Sequence, residues 1–379
     1  MSRRPLYLDY HATTPVDERV LSAMQPYFCE SFGNPASSAH YYGWEAETAV
    51  EQARRTLAQA LNATPEEIIF TSGATEANNL AIKGIVEAHL TKGRHLVTVC
   101  TEHSAVLEPC RYLERLGFEV SYLPVQPDGL LDLTSLAETL RKDTILVSVM
   151  AANNEIGVLQ PLTEIGQLCR DRDIIFHTDA AQAFGKIELD VQASAIDLLS
   201  LTAHKLYGPK GIGILYCRQG IPLAPQLHGG GQEAGYRSGT LFTPQIVGLG
   251  KATELALTEL PTEQQRLKNL RDRLWQALNS LDGLMLNGHP SQRLPHNLNF
   301  SVNGISPEAL LKKIRPHLAI STGSACAGRR AQPSHVLTAL GHSAPLARSA
   351  LRLGLGRFTT SVDIGAASKI LRQAIGELR

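Results

Sequence analysis

The chain has 379 residues, 43% hydrophobic and 19% charged, with 36 Lys plus Arg balanced by 36 Asp plus Glu. That length exceeds what one core usually serves, so two domains are expected. The even charge balance disfavours nucleic acid or a membrane surface as principal partner, and no apolar run approaches the length of a bilayer span.

In chain order, the start from Met1 to Leu6 carries two arginines with no apolar signal-peptide core behind them, so a cytoplasmic protein is expected. Ile68–Thr71 reads as a buried strand running into a helix from Thr75 to about Leu90. Leu96–Cys100 precedes a helix from Ser104 to Leu116, and Ile145–Met150 precedes one around Leu162–Asp171. Ile174–Asp179, Ile196–Leu201 and Gly213–Cys217 continue the series. Apolar strands separated by helices predict an α/β domain, its mainly parallel sheet covered on both faces. Ligands of such folds bind at the carboxyl ends of the strands.

A helix is expected to end near Leu260, where Pro261 breaks the pattern. Thr262-Glu263-Gln264-Gln265 then reads as a capping box for a second helix, with Leu267, Leu270, Leu274, Leu278 and Leu281 as its core-packing face. A strand at Asn297–Val302, a helix at Pro307–Ile314 and a strand at Ala350–Leu355 predict a smaller α+β domain. The expected division is 15–260 for the large domain, and 1–14 with 261–379 for the small one.

The six cysteines form no Cys-x-x-Cys pair and no zinc-spaced cluster, so neither a metal site nor a disulfide framework is expected. Cys100, Cys169 and Cys217 read as core. Cys326 differs: it lies in Ser321-Thr322-Gly323-Ser324-Ala325-Cys326-Ala327-Gly328, small residues expected to form a loop, where a thiol can meet a substrate.

Four positions at strand ends carry chemistry. Asp179 closes a strand and equally suits a helix cap, magnesium, a ribose or a protonated heterocycle. Lys205, in Thr202-Ala203-His204-Lys205, directly follows another apolar strand, and a desolvated lysine suits Schiff-base chemistry. Lysine with aspartate is the pairing that pyridoxal phosphate needs. Ser72-Gly73-Ala74-Thr75 at a helix start suits a phosphate, although a plain capped turn has the same pattern. It is neither a Walker loop nor a dinucleotide turn. His103 lies at the same sheet edge, placed to stack on a ring and shuttle protons or to be a surface residue.

With these residues in place, the chain resembles the cysteine desulfurases of the NifS/IscS type, fold-type I pyridoxal-phosphate enzymes of the class V aminotransferase group. The resemblance runs from Tyr7–Pro15 through Phe32–Ser38, Thr71–Asn79, Asn153–Gly157, His177–Gln182, His204–Gly211 and Arg237–Leu241 to Leu353–Thr359. It implies that Lys205 attaches pyridoxal 5'-phosphate, Asp179 pairs with the ring nitrogen, and His103 stacks on the ring. It implies that Asn154 and Gln182 bond the ring oxygen. Ala74, Thr75, Thr202 and His204 would hold the phosphate, joined by Thr240 of a neighbouring subunit in a homodimer. Arg352 would clamp the carboxylate of the substrate, L-cysteine.

Cys326 would take the sulfur as a persulfide, its thiol deprotonated by a modest local lowering of its pKa or by transfer of the proton to a base such as His103. It would then serve a sulfur-acceptor protein, an iron–sulfur scaffold or a thiolation enzyme, with no metal beyond transient iron–sulfur contact at Cys326. Arg329, Arg330 and Ala234 depart from the commoner residues of the group, and the tail of scaffold-docking members does not follow Arg379; both bear on partner choice. The rival expectations are an aminotransferase or β-lyase on the same fold, or a non-catalytic relative. The loop thiol argues against the first, and the Lys205, Asp179 and Cys326 set against the second.

Overall fold

The computed structural model describes residues 4–322 and 333–379; Cys326, Arg329 and Arg330 lie outside the described residues. Seven strands form the larger sheet in the order Ile68–Thr71, Gly213–Cys217, Leu198–Thr202, Ile175–Asp179, Thr144–Ser148, His95–Val99, Glu119–Leu123. All neighbouring pairs are parallel except the two made by Gly213–Cys217, which runs against both its neighbours. Successive side chains leave opposite faces. Phe70, Val97, Val147, Phe176 and Leu199 join one core, while Ile69, Leu96, Leu146, Ile175 and Leu198 join another. Burial on both faces explains why these strands are apolar without alternation. Glu119–Leu123 is an edge strand with only Leu123 buried, so its sequence gives little strand signal. The helix Tyr41–Leu61 is absent from the expected elements as well; Gly43, Ala46, Ala53 and Ala58 make up four of its seven buried positions, a weak apolar signal.

The smaller sheet is antiparallel, ordered Ser321–Thr322, Ala350–Gly354, Asn297–Val302, Leu284–Leu286. It packs a separate core with Leu267, Leu274 and Leu278. Here the expectation of a helix break is corrected. Thr243–Leu278 is one continuous helix with Pro261 inside it, so no capping box forms at Thr262. A proline removes a single intrahelical donor. Burial of Ile246, Leu249 and Ala256 in the first core and of Leu267, Leu274 and Leu278 in the second outweighs that loss. The expected boundary at 260/261 thus falls within a helix. Among the expected core cysteines, Cys169 and Cys217 are buried but Cys100 is only half-buried. No helix among the described residues is long and apolar enough to cross a membrane.

Candidate active site

Where the parallel strands end, their loops enclose a cavity of about 510 Å³. His103, Asn154, Asp179, Gln182 and Lys205 line it, and so do Ala74, Thr75, Thr202 and His204. Each comes from the carboxyl end of a strand or the turn just beyond it, because only there does a parallel sheet leave side chains uncovered by helices.

Asp179 is the last residue of Ile175–Asp179 and only 7% exposed. Its Oδ2 accepts from Asn78 Nδ2 at 2.7 Å and its Oδ1 from the Ala181 N–H at 2.9 Å, so the carboxylate is fixed in one orientation. Asn78 is itself fully buried, on the helix Ala74–Ala88. Lys205 is half-buried and ends a single 3-10 turn, Ala203–Lys205, that follows the strand Leu198–Thr202. Two threonines from the chain's start hold that turn. Thr14 donates through its N–H and its Oγ1 to the His204 carbonyl, each at 2.9 Å, and accepts from the Tyr207 N–H at 2.8 Å. Thr13 Oγ1 lies 3.1 Å from His204 Nδ1.

The residues fit pyridoxal phosphate. Gly73, before the helix Ala74–Ala88, has φ 146° and ψ 177°, a region that glycine alone enters without strain. A Cβ there would face Thr202 Oγ1 at 3.7 Å, so glycine keeps open the space between two cavity-lining residues. The first turn of that helix, with the hydroxyls of Thr75 and Thr202, offers the donors an anion needs. Burial, aided by the charges of Lys205 and Lys210, lowers the His204 pKa to about 4, so this imidazole is neutral.

His103 Nδ1 accepts from the Ala105 N–H at 3.1 Å and caps the helix Ser104–Glu114. Desolvation lowers its pKa, with Lys205 and His335 acting the same way and Asp179 opposing. The neutral ring therefore carries its proton on Nε2. With Nδ1 engaged by the Ala105 N–H, proton exchange with the cavity runs through Nε2.

Gln182 Oε1 lies 3.0 Å from His11 Nδ1 and its Nε2 donates to the His11 carbonyl at 3.0 Å, which leaves one amide N–H for the cavity. Burial brings the His11 pKa down to about 3, with the Arg352 charge adding to the effect.

Arg352 lies in the strand Ala350–Gly354, beside the cavity. Its Nη1 donates to the Asn154 carbonyl at 2.8 Å and its Nη2 to Asp9 Oδ1 and Ser321 Oγ, each at 2.9 Å. Its Nε is buried without a partner among the described residues, and Arg352 itself does not line the cavity. Thr240 is not brought to this cavity; it is exposed in the segment before the helix Thr243–Leu278. No group of three or more His, Cys, Asp or Glu among the described residues could hold a metal ion.

Sequence reasoning about individual residues missed Asp9, His11, Thr13, Thr14, Asn78 and Glu102. Five of these fall in the stretches Tyr7–Pro15 and Thr71–Asn79 that carried the resemblance, so a signal existed. Glu102 had none beyond standing next to His103. Its Oε1 accepts from the Met150 N–H at 2.6 Å, while its Oε2 is buried without a partner among the described residues.

A family model described as aminotransferase class-V matches residues 6–366. "Cysteine desulfurase IscS" of Neisseria meningitidis serogroup C / serotype 2a is 53% identical over 379 residues, covering 100% of this chain and 94% of its own. The protein of the same description from Methylococcus capsulatus is 52% identical over 99% of this chain and 93% of its own. A solved "NifS-like protein" superimposes with a TM-score of 0.91 at 37% identity, over 99% of both chains. A structure described as "SspA in complex with cysteine" does so with 0.84 at 40% identity, over 93% of this chain and 99% of its own.

Proposed function

We propose, from the premise that this chain belongs to the class-V aminotransferase family and is a cysteine desulfurase, that Cys326 is the thiol that takes the sulfur. Pyridoxal phosphate is the cofactor of the family, and it supplies an electron sink for the substrate's Cα. The overall change balances as L-cysteine plus the Cys326 thiol giving L-alanine plus the Cys326 persulfide. The observation that supports this reading best is the convergence of Lys205, the fixed Asp179 carboxylate and the donor-rich turn at Gly73–Thr75 on one cavity.

In this reading Lys205 would tether the cofactor, and the Asp179 carboxylate, oriented by Asn78 and Ala181, would pair with the ring nitrogen. Gln182 turns its spare N–H to the ring oxygen, with Asn154 beside it. Ala74, Thr75, Thr202 and His204 hold the phosphate. His103 would exchange a proton through Nε2, and the Arg352 guanidinium would bind the substrate carboxylate. The thiolate of Cys326 attacks the substrate sulfur, whose bond to Cβ breaks.

The working unit is a homodimer. Phe28, Phe32, Tyr41, Tyr42, Trp44 and Phe242 are all exposed, Phe28 and Phe242 in edge contact, and Thr240 stands two residues from that patch. Exposed aromatic surface of this kind marks an interface, and Thr240 would reach the partner's phosphate across it. The persulfide then passes, in the cytoplasm, to an acceptor protein of iron–sulfur cluster, tRNA or thio-cofactor synthesis.

The test is the Cys326→Ala holoenzyme. It should bind cofactor and cysteine, yet alanine formation should collapse. Near-normal turnover would instead promote the β-lyase reading, in which lysine and ring break the bond unaided.

A further inference from the structure

Ser321 and Ser334 flank in sequence the residues 323–332 that include Cys326. Both serines connect to Arg352, Ser321 by a direct hydrogen bond and Ser334 through the Asn154–Glu155 backbone. On the first flank, Ser321 Oγ accepts from Arg352 Nη2 at 2.9 Å and donates to Asp9 Oδ2 at 3.0 Å. Arg352 Nη1 reaches the Asn154 carbonyl at 2.8 Å. The next residue, Glu155, holds the second serine: Ser334 Oγ donates to its Oε2 at 2.6 Å.

The anchor is rigid. The Glu155 N–H donates to Asn153 Oδ1 at 2.9 Å, and its carbonyl accepts from Asn297 Nδ2 at 3.0 Å and Asn299 Nδ2 at 2.9 Å. Two strand residues of the small sheet thus fix the turn that presents Asn154 to the cavity. The far side is fixed as well. Ser334 Oγ also accepts from the Leu337 N–H at 3.2 Å, and His335 Nε2 donates to the Glu102 carbonyl at 3.0 Å.

Packing alone does not call for a carboxyl here. Desolvation raises the Glu155 pKa, against the Ser334 hydrogen bond and the charges of His335 and Arg352, so the group stands where charge is unfavourable. An apolar side chain would avoid that cost. What only an acceptor can do at this point is hold the Ser334 hydroxyl.

We propose that Glu155 is a positioning residue for sulfur transfer, acting through Ser334 to fix the C-terminal flank of the Cys326 segment relative to Asn154 and Arg352. The proposal rests on the reading of Cys326 given above. A displacement of about 1 Å can slow a reaction by two orders of magnitude, so one hydrogen bond at a flank has leverage on the step.

The experiment compares wild-type, Glu155→Ala, Glu155→Gln and Ser334→Ala holoenzymes. Cysteine affinity is titrated by cofactor absorbance. The rate at which the Cys326 peptide gains one sulfur in a single turnover is followed by mass spectrometry, and amide hydrogen exchange is followed over 333–340. In Glu155→Ala, affinity should stay within about threefold while sulfur gain slows at least about tenfold, and exchange over 333–340 should quicken. Ser334→Ala removes the same bond from the other partner and should give the same split. Glu155→Gln keeps an oxygen acceptor and should recover to within about threefold of wild type.

Unchanged sulfur gain in Glu155→Ala overturns the proposal. So does a parallel fall in affinity and rate, which marks a general loss of structure, and so does failure of glutamine to rescue. If wild-type Cys326 gains no sulfur at all, the reading of that thiol has failed first, and the variants are not what shows it.

Discussion

The large sheet and the small sheet contribute to the site in different ways. Along the large sheet, Asp179 ends its strand, while Ala74, His103, Asn154 and Lys205 follow theirs by a few residues. Each strand delivers a side chain into open space, and the core behind it is ordinary aliphatic packing. Arg352 instead sits mid-strand in the small sheet, opposite Asn299 on one neighbour and Ser321 on the other. Its guanidinium is tied to Asp9, Ser321 and Asn154, which come from three distant parts of the chain. A change at a strand end of the large sheet should therefore stay local and chemical. A change at Arg352 should spread along its hydrogen bonds.

The sharpest way to break that contrast is Asp179→Ala. Removing one oriented electrostatic group from a site lowers kcat by about 100- to 1,000-fold. The fold should survive, because the loss is confined to the Asn78 amide and the Ala181 N–H, worth about 1–3 kcal/mol each if left unpaired. Alanine formation and a thermal melt on one preparation decide the matter. A melt that collapses together with activity would show that Asp179 is structural.

Arg352→Lys comes next. Lysine keeps the charge but loses the planar fork, so KM for cysteine should rise about 10- to 100-fold. Because Ser321 loses the same donor, amide exchange at Ser321–Thr322 should quicken too. Exchange that stays at the wild-type level would dissolve the distinction between the two sheets.

This difference also decided what was legible in the sequence. Asp179 and Lys205 stood out because a charged residue directly after an apolar run is conspicuous, and the fold puts such residues in the crevice. Arg352 looked like any arginine in a strand; only resemblance singled it out, and its partners Asp9 and Ser321 lie 343 and 31 residues away. Pro261 misled for a local reason. Helix rules score a proline by the bond it removes, whereas leucines beyond it, packed on a second core, held the helix together. Thr240 lies exposed and outside this cavity, so its expected part concerns a neighbouring subunit's phosphate rather than a site in its own chain.

Gly73→Ala tests the large-sheet side at its backbone. At φ 146° and ψ 177° an alanine is strained by about 1–3 kcal/mol, although its Cβ would meet only Thr202 Oγ1, at an ordinary 3.7 Å. The expected result is a lower melting temperature and faster loss of cofactor on dilution, with alanine formation per bound cofactor nearly unchanged. If instead the backbone relaxes freely, both the melt and cofactor retention will match wild type.

The smallest effect concerns Glu102, and its sign is worked out from burial. Desolvation raises its pKa well above the usual carboxylate value; the Met150 N–H opposes the shift and the Asp179 charge adds to it. The folded protein therefore holds a proton that the unfolded chain releases above about pH 4.3. A group of this kind adds its full stability below the unfolded pKa, and that stability is lost as pH rises toward the folded pKa. The slope reaches up to about 1.4 kcal/mol per pH unit inside that window. The buried histidines slope the other way. His177, with its pKa lowered to about 4 by desolvation, gains stability as pH rises from there to about 6.5. Subtracting wild type from Glu102→Gln cancels the histidines and isolates the carboxyl. Glutamine keeps an oxygen for the Met150 N–H and cannot ionise, so the variant should gain on wild type steadily as pH rises above about 4.3. Urea unfolding at several pH values from 5 upward measures that difference. A difference independent of pH would mean that Glu102 is ionised in the folded protein, with a partner for its Oε2 supplied by the solvent or the loaded site.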